Sequence, residues 1–136
     1  MARQLARSGA VDLLVVDSAA TLVPSAELET DIGQSAPGLH SRVLASGLRK
    51  LAAAVAQSGA AVVFLNQTRG RPGESGWEAE TSAGGPPLKL YSAVRIALFA
   101  AGARQIGFRV LKNKVSEGLP EGRLELRRGG GFAESP

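Results

Sequence analysis

The amino-acid sequence predicts an α/β fold with a mixed sheet of about five strands, which begins as a parallel β-α-β unit and ends in antiparallel strands. Two apolar runs, VDLLVV at 11–16 and AAVVFL at 60–65, are continuous, which is typical of strands covered on both faces. The segment between them repeats leucine at helical spacing. Aromatic residues make up only 4% of the chain, so Ala, Val and Leu must form the core between sheet and helix.

Composition narrows the class of protein. The 136 residues are enough for one domain of ordinary size. The net charge of +4 is compatible with a polyanionic partner but does not require one. The absence of Cys excludes a disulfide framework, and the single His40 cannot supply a zinc cluster alone. Because no run approaches 18 apolar residues, we expect a soluble, cytoplasmic protein with no membrane partner.

Polar residues follow both apolar runs. Asp17 ends the first predicted strand, and Asn66 and Gln67 end the second. A right-handed crossover places both carboxyl ends at one edge of the sheet, which is the ligand-binding edge of open α/β folds. We therefore expect these side chains to be neighbours, with the amide able to orient a water or sense a phosphate. The alternative for Asp17 is a helix cap or turn acid.

The predicted helix carries an apolar stripe that we expect to pack on the sheet, formed by Leu44, Leu48, Leu51 and Val55. Gly59 supplies its stop signal. Arg42 and Arg49 are seven residues apart and share a face that flanks the stripe. They either point at one ligand or form a solvated basic face.

The remaining segments are predicted from the positions of Gly and Pro and from the alternation of apolar and polar residues. Residues 24–38 form a loop with at most one helical turn, and residues 68–85 form a long structureless loop. Trp77, inside that loop, is either an interaction anchor or packs on a neighbouring surface. Residues 88–102 and 104–115 predict two antiparallel strands around a short turn, and 122–130 predicts a last alternating strand. We expect a loose tail after it.

Six motifs occur in an order typical of one family: RSGAVDLLVVDS, AELETDIG, LRKL, FLNQ, GGPPLKLYSAVR and LKNKV. The chain resembles the second half of the RecA recombinase core, from about Leu5 to Phe132. The resemblance implies a partial RecA-like core of the P-loop NTPase class that lacks the phosphate-loop strand. The domain would span residues 1–132, with 133–136 as a loose tail.

The resemblance implies roles for individual residues. Asp17 would support magnesium on ATP beside Ser18, and Gln67 would report the terminal phosphate to two DNA-binding loops at 25–38 and 68–85. Lys112 and Lys114 would reach the ATP of an adjacent subunit; alternatively, they keep an exposed edge strand soluble. The implied DNA-binding positions are Ser35, Arg42, Arg49, Arg69, Arg71, Gly84 and Gly85.

Departures from the family pattern limit those roles. The sequence contains no G-x-x-x-x-G-K-[ST], and the family's phosphate loop and water-activating glutamate lie upstream of the matched region. Without the loop, the remaining acid and amide cannot bind ATP tightly or hydrolyse it, so we expect no bound cofactor for this chain alone. Pro37 and Pro72 replace apolar wedges of the DNA-binding loops, and Leu90 replaces an aromatic residue between ATP and DNA.

The missing strand has a structural consequence. In the family it lies between the strand that ends at Gln67 and the strand around 94–98. Its absence predicts unpaired backbone or an altered sheet, because buried N–H and C=O groups need partners. We therefore expect a shortened chain or one that pairs with another copy.

Three functions follow from these observations. The first is a non-catalytic, ImuA-type accessory protein of DNA repair and the SOS response. It would bind RecA or another copy of itself and an error-prone polymerase subunit of translesion synthesis, with single-stranded DNA as a further candidate partner. The second is the core of an authentic ATP-dependent recombinase that performs homologous recombination and strand exchange. The third is an interaction module with no nucleic-acid role.

Overall fold

The computed structural model describes residues 1–29, 37–70 and 80–134. The chain divides into two compact units, Met1–Tyr91 and Ser92–Pro136, which we call unit 1 and unit 2 and describe separately. Unit 1 contains the helices α1 (Ala2–Ser8), α2 (Ser25–Leu28), α3 (Leu39–Ser58) and α4 (Pro86–Tyr91), and the strands β1 (Leu13–Val16), β2 (Ala61–Phe64), β3 (Thr68–Gly70) and β4 (Glu80–Ser82). Unit 2 contains β5 (Val94–Gly102), β6 (Gln105–Asn113), β7 (Glu121–Leu126) and β8 (Phe132–Glu134). The predicted α/β class is confirmed.

A parallel pair of strands organises unit 1. β1 and β2 run in register from Leu13 beside Ala61 to Val16 beside Phe64, with α3 as the crossover between them. Ala6 of α1 and Leu51 and Ala54 of α3 form a buried cluster against which Val62 and Phe64 pack. The predicted apolar stripe of α3 is confirmed, since Leu44, Leu48 and Leu51 are buried and Val55 is half-buried.

The opposite face of this strand pair is exposed. Leu13 and Val15 are 56% and 52% exposed, and Val63 beside Val15 is 43% exposed. The prediction of strands covered on both faces is therefore wrong for the residues described. A continuous apolar run indicates that both faces of a strand are apolar, but it does not indicate what covers them. In this strand pair only one face packs against helices of unit 1.

Two helices of unit 1 depart from the sequence prediction. α1 was not predicted, although Ala2, Leu5 and Ala6 have helical spacing and Gly9, at φ 68°, ends the helix. The segment 88–91 was predicted as strand and is instead part of α4. That prediction is wrong because α4 begins with two prolines, which are favoured at the first turn of a helix.

The two predicted loops have ordered ends. α2 is the single turn expected between 24 and 38, and residues 30–36 lie outside the described residues. Thr68–Gly70 pairs antiparallel with Glu80–Ser82, so the prediction of a structureless stretch from 68 to 85 is wrong at both ends. Trp77 and Pro72 lie outside the described residues.

Unit 2 is a four-stranded antiparallel sheet in the order β5-β6-β7-β8. The predicted hairpin is confirmed, with its turn between Gly102 and Gln105. The expected loose tail is wrong from Phe132 to Glu134, because three consecutive glycines with φ of 84–101° turn the chain back and Phe132 pairs with Leu126. Residues 135–136 lie outside the described residues.

The strands therefore form three sheets rather than one mixed sheet of about five strands. Among the described residues, β2 pairs only with β1, and β5 pairs only with β6. A mixed sheet would need a strand that joins these ladders. Three separate sheets agree with one of the two expectations from the sequence, an altered sheet.

Glycine residues admit two aromatic rings into the sheet of unit 2. Gly107 stands directly opposite Phe99, and a Cβ at this glycine would overlap the ring. Gly122 stands opposite Phe108, and a Cβ there would lie 2.9 Å from Cε1 of Phe108. Each ring covers the backbone of its cross-strand neighbour, an arrangement that fixes strand register.

Candidate functional site

The carboxyl ends of β1 and β2 meet at one edge of the parallel pair. The N–H of Leu65 donates to the carbonyl oxygen of Val16 at 3.0 Å, and the N–H of Ala19 donates to the carbonyl oxygen of Leu65 at 2.9 Å. These two bonds hold Asp17 and Ser18 against the strand that continues into Asn66 and Gln67. The expected proximity of the two strand ends is confirmed, while the ligand-binding roles of Asp17, Ser18 and Gln67 stay predictions.

The local backbone presents the Asp17 side chain to solvent. Asp17 is exposed and Ser18 is half-buried. Ser18 caps a 3-10 turn at Ala19–Thr21, where the Thr21 hydroxyl donates to the Ser18 carbonyl oxygen at 2.9 Å. Asp17 is thus the last residue before a fixed turn and not itself the cap, so the alternative of a helix-capping acid is not supported.

This donor set fits magnesium that is held together with nucleotide phosphates. Among the described residues no group of three or more His, Cys, Asp or Glu side chains could hold a metal ion. Asp17 therefore offers a single carboxylate. Mg²⁺ is commonly bound by one or two carboxylates plus the phosphates of a substrate, so one carboxylate is sufficient only in that setting.

The amide pair at the end of β2 anchors the loop that follows. The Asn66 side chain donates from Nδ2 to the carbonyl oxygen of Ala83 at 3.0 Å. The N–H of Ala83 donates to the carbonyl oxygen of Gln67 at 3.0 Å. These two bonds close the base of the β3–β4 hairpin directly onto the strand end. The Gln67 side chain is exposed and makes no hydrogen bond with the described residues.

The returning arm of the loop is seated on α3 by two glycines. Gly84 and Gly85 have φ of 80° and 77°, and a Cβ on Gly84 would lie 2.8 Å from Cδ2 of Leu44. A Cβ on Gly85 would lie 3.1 Å from the Ser41 hydroxyl oxygen. Close packing and backbone conformation therefore explain both glycines, and their predicted contact with DNA stays a prediction.

Arg42 and Arg49 are both exposed on α3. Nη2 of Arg42 lies 3.4 Å from the carbonyl oxygen of Pro37, a long hydrogen bond. Arg42 also borders a shallow, mainly apolar groove between α3 and α4, beside Ser41, Leu90 and Tyr91. The structure is compatible with phosphate binding and with a solvated basic face.

Lys112 and Lys114 lie at the end of β6 in unit 2. Lys112 is half-buried and stands directly opposite Arg95, a second cation. Lys114 is exposed, and Asn113 builds a turn there by accepting hydrogen bonds from the N–H groups of Val115 and Ser116. β6 is an inner strand only from Gln105 to Arg109, because its ladder with β7 ends before Lys112. The nucleotide-contact and edge-strand interpretations both stay open.

Three predicted DNA-binding residues have no described side chain. Ser35 and Arg71 lie outside the described residues. Arg69 belongs to β3, where its backbone pairs with Thr81.

No helix in the described part of the chain is long and apolar enough to cross a membrane.

The site contains one feature that the predicted site residues omit. Asn66 was expected at the strand tip as an amide that could orient a water or sense a phosphate, and its bond to Ala83 gives it a positioning role instead. The sequence does place an amide directly after an apolar strand, which marks Asn66 as a candidate functional residue. No sequence pattern identifies Ala83, 17 residues away, as its hydrogen-bond partner.

Comparisons with known proteins agree on one family. The family model for the RecA N-terminal domain matches residues 1–133. Protein RecA of Deinococcus radiodurans is 41% identical over 94% of the chain and 38% of its own length. Protein RecA of Gluconobacter oxydans is 41% identical, with coverages of 98% and 41%. Protein RecA of Bdellovibrio bacteriovorus is 42% identical, with coverages of 96% and 37%. The chain thus spans about two fifths of the length of these relatives.

Proposed function

This chain belongs to the RecA family, and from that premise we propose that it forms the acid-and-amide half of an ATP-dependent DNA recombinase core. The observation that carries the proposal is the hydrogen-bonded edge where Asp17, at the end of β1, meets the strand that continues into Asn66 and Gln67. The function would be DNA repair by homologous recombination. ATP with magnesium would be the cofactor, and DNA and further copies of the family the partners.

Asp17 would hold the magnesium ion of the nucleotide. Asp17 lies at the carboxyl end of a parallel strand, which is where ligands bind in open α/β sheets. Bound ATP with magnesium would supply the terminal phosphate, and the DNA-binding loops would respond to its presence. Any tight binding requires a phosphate-binding loop from outside these 136 residues, because the sequence has no such motif.

Gln67 and Asn66 would connect nucleotide to DNA. The exposed Gln67 amide faces the solvent at the strand edge, and its own carbonyl oxygen is bonded to Ala83 at the far side of the loop. A displacement of the strand tip would therefore move Ala83 and the glycines that follow it. Arg42 and Arg49 on α3 would bind DNA phosphate.

The accessory function is the weaker candidate. The relatives described above all carry the name Protein RecA, which favours the recombinase core, and the comparisons do not distinguish an ImuA-type paralogue. Binding to a polymerase subunit and roles in the SOS response or translesion synthesis stay predictions from the sequence. An accessory protein would bind RecA and show no nucleotide dependence.

An ATPase measurement separates the two candidates. The segment of Deinococcus radiodurans RecA that precedes the matched region would be fused to this chain, and hydrolysis of Mg-ATP would be measured with and without single-stranded DNA. The recombinase function predicts hydrolysis that DNA stimulates. A folded fusion that binds RecA but hydrolyses no ATP under either condition would favour the accessory function.

A further inference from the structure

The imidazole ring of His40 lies beneath the returning arm of the loop, Gly84 and Gly85. A Cβ on Gly84 would lie 3.6 Å from Cε1 and 3.9 Å from Nε2 of His40. The residue as a whole is half-buried, but its Nε2 atom is buried and has no hydrogen-bond partner among the described residues. His40 is also the single histidine of the sequence. A titratable nitrogen is therefore covered by the backbone of the arm.

The other surroundings of the ring carry no charge. An apolar cavity of about 200 Å³ beside the ring is lined by Leu22, Val23, Pro24, Val43, Leu44 and Gly47. Glu27, on the helix that follows the first three of these residues, does not line the cavity. On α3 the nearest charged residue is Arg42, an exposed cation that bonds to the carbonyl oxygen of Pro37. None of these described neighbours could neutralise a charged imidazole.

The position of His40 on α3 also opposes a positive charge. His40 is the second residue of this helix, which begins at Leu39 and has no acidic residue in its first turn. The unpaired N–H groups of a first turn give the start of a helix a partial positive charge, which destabilises a nearby cation. Arg42 adds a second cation to the same turn. The neutral ring is thus the form that suits the seated arm.

The two protonation states of the ring differ at Nε2. A neutral imidazole can carry its proton on Nδ1, which leaves Nε2 as an acceptor only. In the protonated ring Nε2 carries a hydrogen as well, and under Gly84 this would be a buried charged donor without an acceptor. When the arm lifts, water can accept that hydrogen bond. The lifted arm therefore binds one proton more than the seated arm, so lifting becomes more favourable as the pH falls.

We propose that His40 forms a proton-sensitive contact with the returning arm. The neutral ring supports Gly84 on α3, and protonation of the ring releases the arm. The contact needs neither nucleotide nor DNA, and it uses none of the residues to which the proposed function assigns a role. Only its consequence for DNA, a loosened base of the candidate DNA-binding loop at low pH, rests on the proposed function.

The test is amide hydrogen exchange, followed by NMR on the full chain without nucleotide or DNA. The N–H of Ala83 reports on the arm, because it bonds to the carbonyl oxygen of Gln67 and directly precedes Gly84. Exchange would be compared at about pH 7.5 and about pH 5.5, on either side of the ordinary range of imidazole titration. If the seated arm excludes the proton, the lifted population should rise about tenfold between these two conditions. The Ala83 protection factor, corrected for intrinsic exchange, should fall by the same factor.

Neutral replacements of the ring supply the first control. The fall at Ala83 should be absent in both His40→Gln and His40→Ala, and two variants keep the test decisive if circular dichroism shows that one is unfolded. Gln57→His in the His40→Gln background restores one histidine at an exposed position of α3, and it should not restore the fall. The N–H of Leu65, which bonds to the carbonyl oxygen of Val16, is the internal reference and should keep its protection.

Three results would overturn the proposal. The first is equal protection of Ala83 in the wild-type chain at both pH values. The second is an equal fall at Ala83 and Leu65, which would indicate general unfolding in acid. The third is a fall that persists in the His40 variants, which would indicate another titrating group. None of these measurements involves Asp17 or a nucleotide, so failure of this contact is distinguishable from failure of the proposed function.

Discussion

The Asn66 side chain is hydrogen-bonded to the carbonyl oxygen of Ala83, at 3.0 Å across 17 residues of chain. The bond ties the end of a strand that carries candidate nucleotide-sensing groups to the returning arm of a candidate DNA-binding loop. Both partners lie outside the regular ladder of β1 and β2. The connection is therefore made by one side chain and one backbone bond, which makes it testable by substitution.

Asn66→Asp should loosen the loop base, because the carboxylate of aspartate has no N–H with which to bond Ala83. The exchange protection of the Ala83 amide should fall, and the free energy of unfolding should fall by about 1 kcal/mol, as for one neutral hydrogen bond. Hydrogen exchange followed by NMR measures the first and urea unfolding the second. Gln57→Glu, an exposed amide-to-acid change on α3, is the control. Unchanged protection at Ala83 in Asn66→Asp would contradict the role of this bond.

Gly84→Ala should destabilise unit 1 more than an equivalent change at an open position. The new methyl group would meet Leu44 at 2.8 Å, and φ of 80° is unfavourable for alanine. Gly59→Ala has a φ of 72° and nothing within 4 Å, so it isolates the backbone cost, which is about 1 kcal/mol. Urea unfolding should show a further loss of about 1–3 kcal/mol for Gly84→Ala, from overpacking. Equal losses would mean that the loop does not pack on α3.

Gly107→Ala should destabilise the sheet of unit 2 because its methyl group would overlap the Phe99 ring. We expect a loss of about 1–3 kcal/mol in the free energy of unfolding. The double variant Gly107→Ala/Phe99→Ala should lose less than the sum of the single variants, since the two positions share one contact. Additive losses in thermal or urea unfolding would show that the ring does not lie over this glycine.

Arg42→Ala/Arg49→Ala should weaken the binding of single-stranded DNA and reduce its salt slope, if these exposed side chains bind phosphates. Two lost contacts correspond to a slope change of about 1.4. Anisotropy titrations with labelled oligothymidylate measure it. Arg3→Ala/Arg7→Ala is the charge-matched control, because it removes two exposed arginines from α1. DNA affinity that is identical to wild type in Arg42→Ala/Arg49→Ala would support a solvated basic face instead.

The sequence was sufficient to predict features that depend on local pattern. The strands β1 and β2, the apolar stripe of α3 and the meeting of the two strand ends follow from hydrophobic runs and the handedness of the crossover. α4 was missed because LKLY alternates like a strand, and only the prolines before it indicate a helix. The exposure of Leu13 and Val15 was missed because an apolar run does not reveal what covers each face.

The features that escaped prediction depend on contacts between distant parts of the chain. Nothing in the sequence indicates that Asn66 bonds to Ala83, or that Gly84 packs on Leu44, because no periodic pattern links either pair of residues. β8 was missed for a similar reason, since a glycine-rich segment is typical of both loose tails and tight turns. The contact of Lys112 and Lys114 with the ATP of an adjacent subunit stays a prediction from family resemblance.

The central claim is that Asp17 is the magnesium-supporting acid of a nucleotide site. Asp12 and Asp17 flank the same strand at its two ends, and both are exposed, so Asp12→Asn is a matched control for Asp17→Asn. The direct measurement is Mg-ATP affinity by calorimetry on the fusion that supplies a phosphate loop. We predict that Asp17→Asn weakens magnesium-dependent binding at least tenfold, about 1.4 kcal/mol, whereas Asp12→Asn binds as the parent fusion does. Equal affinities of the two variants for Mg-ATP would contradict the account.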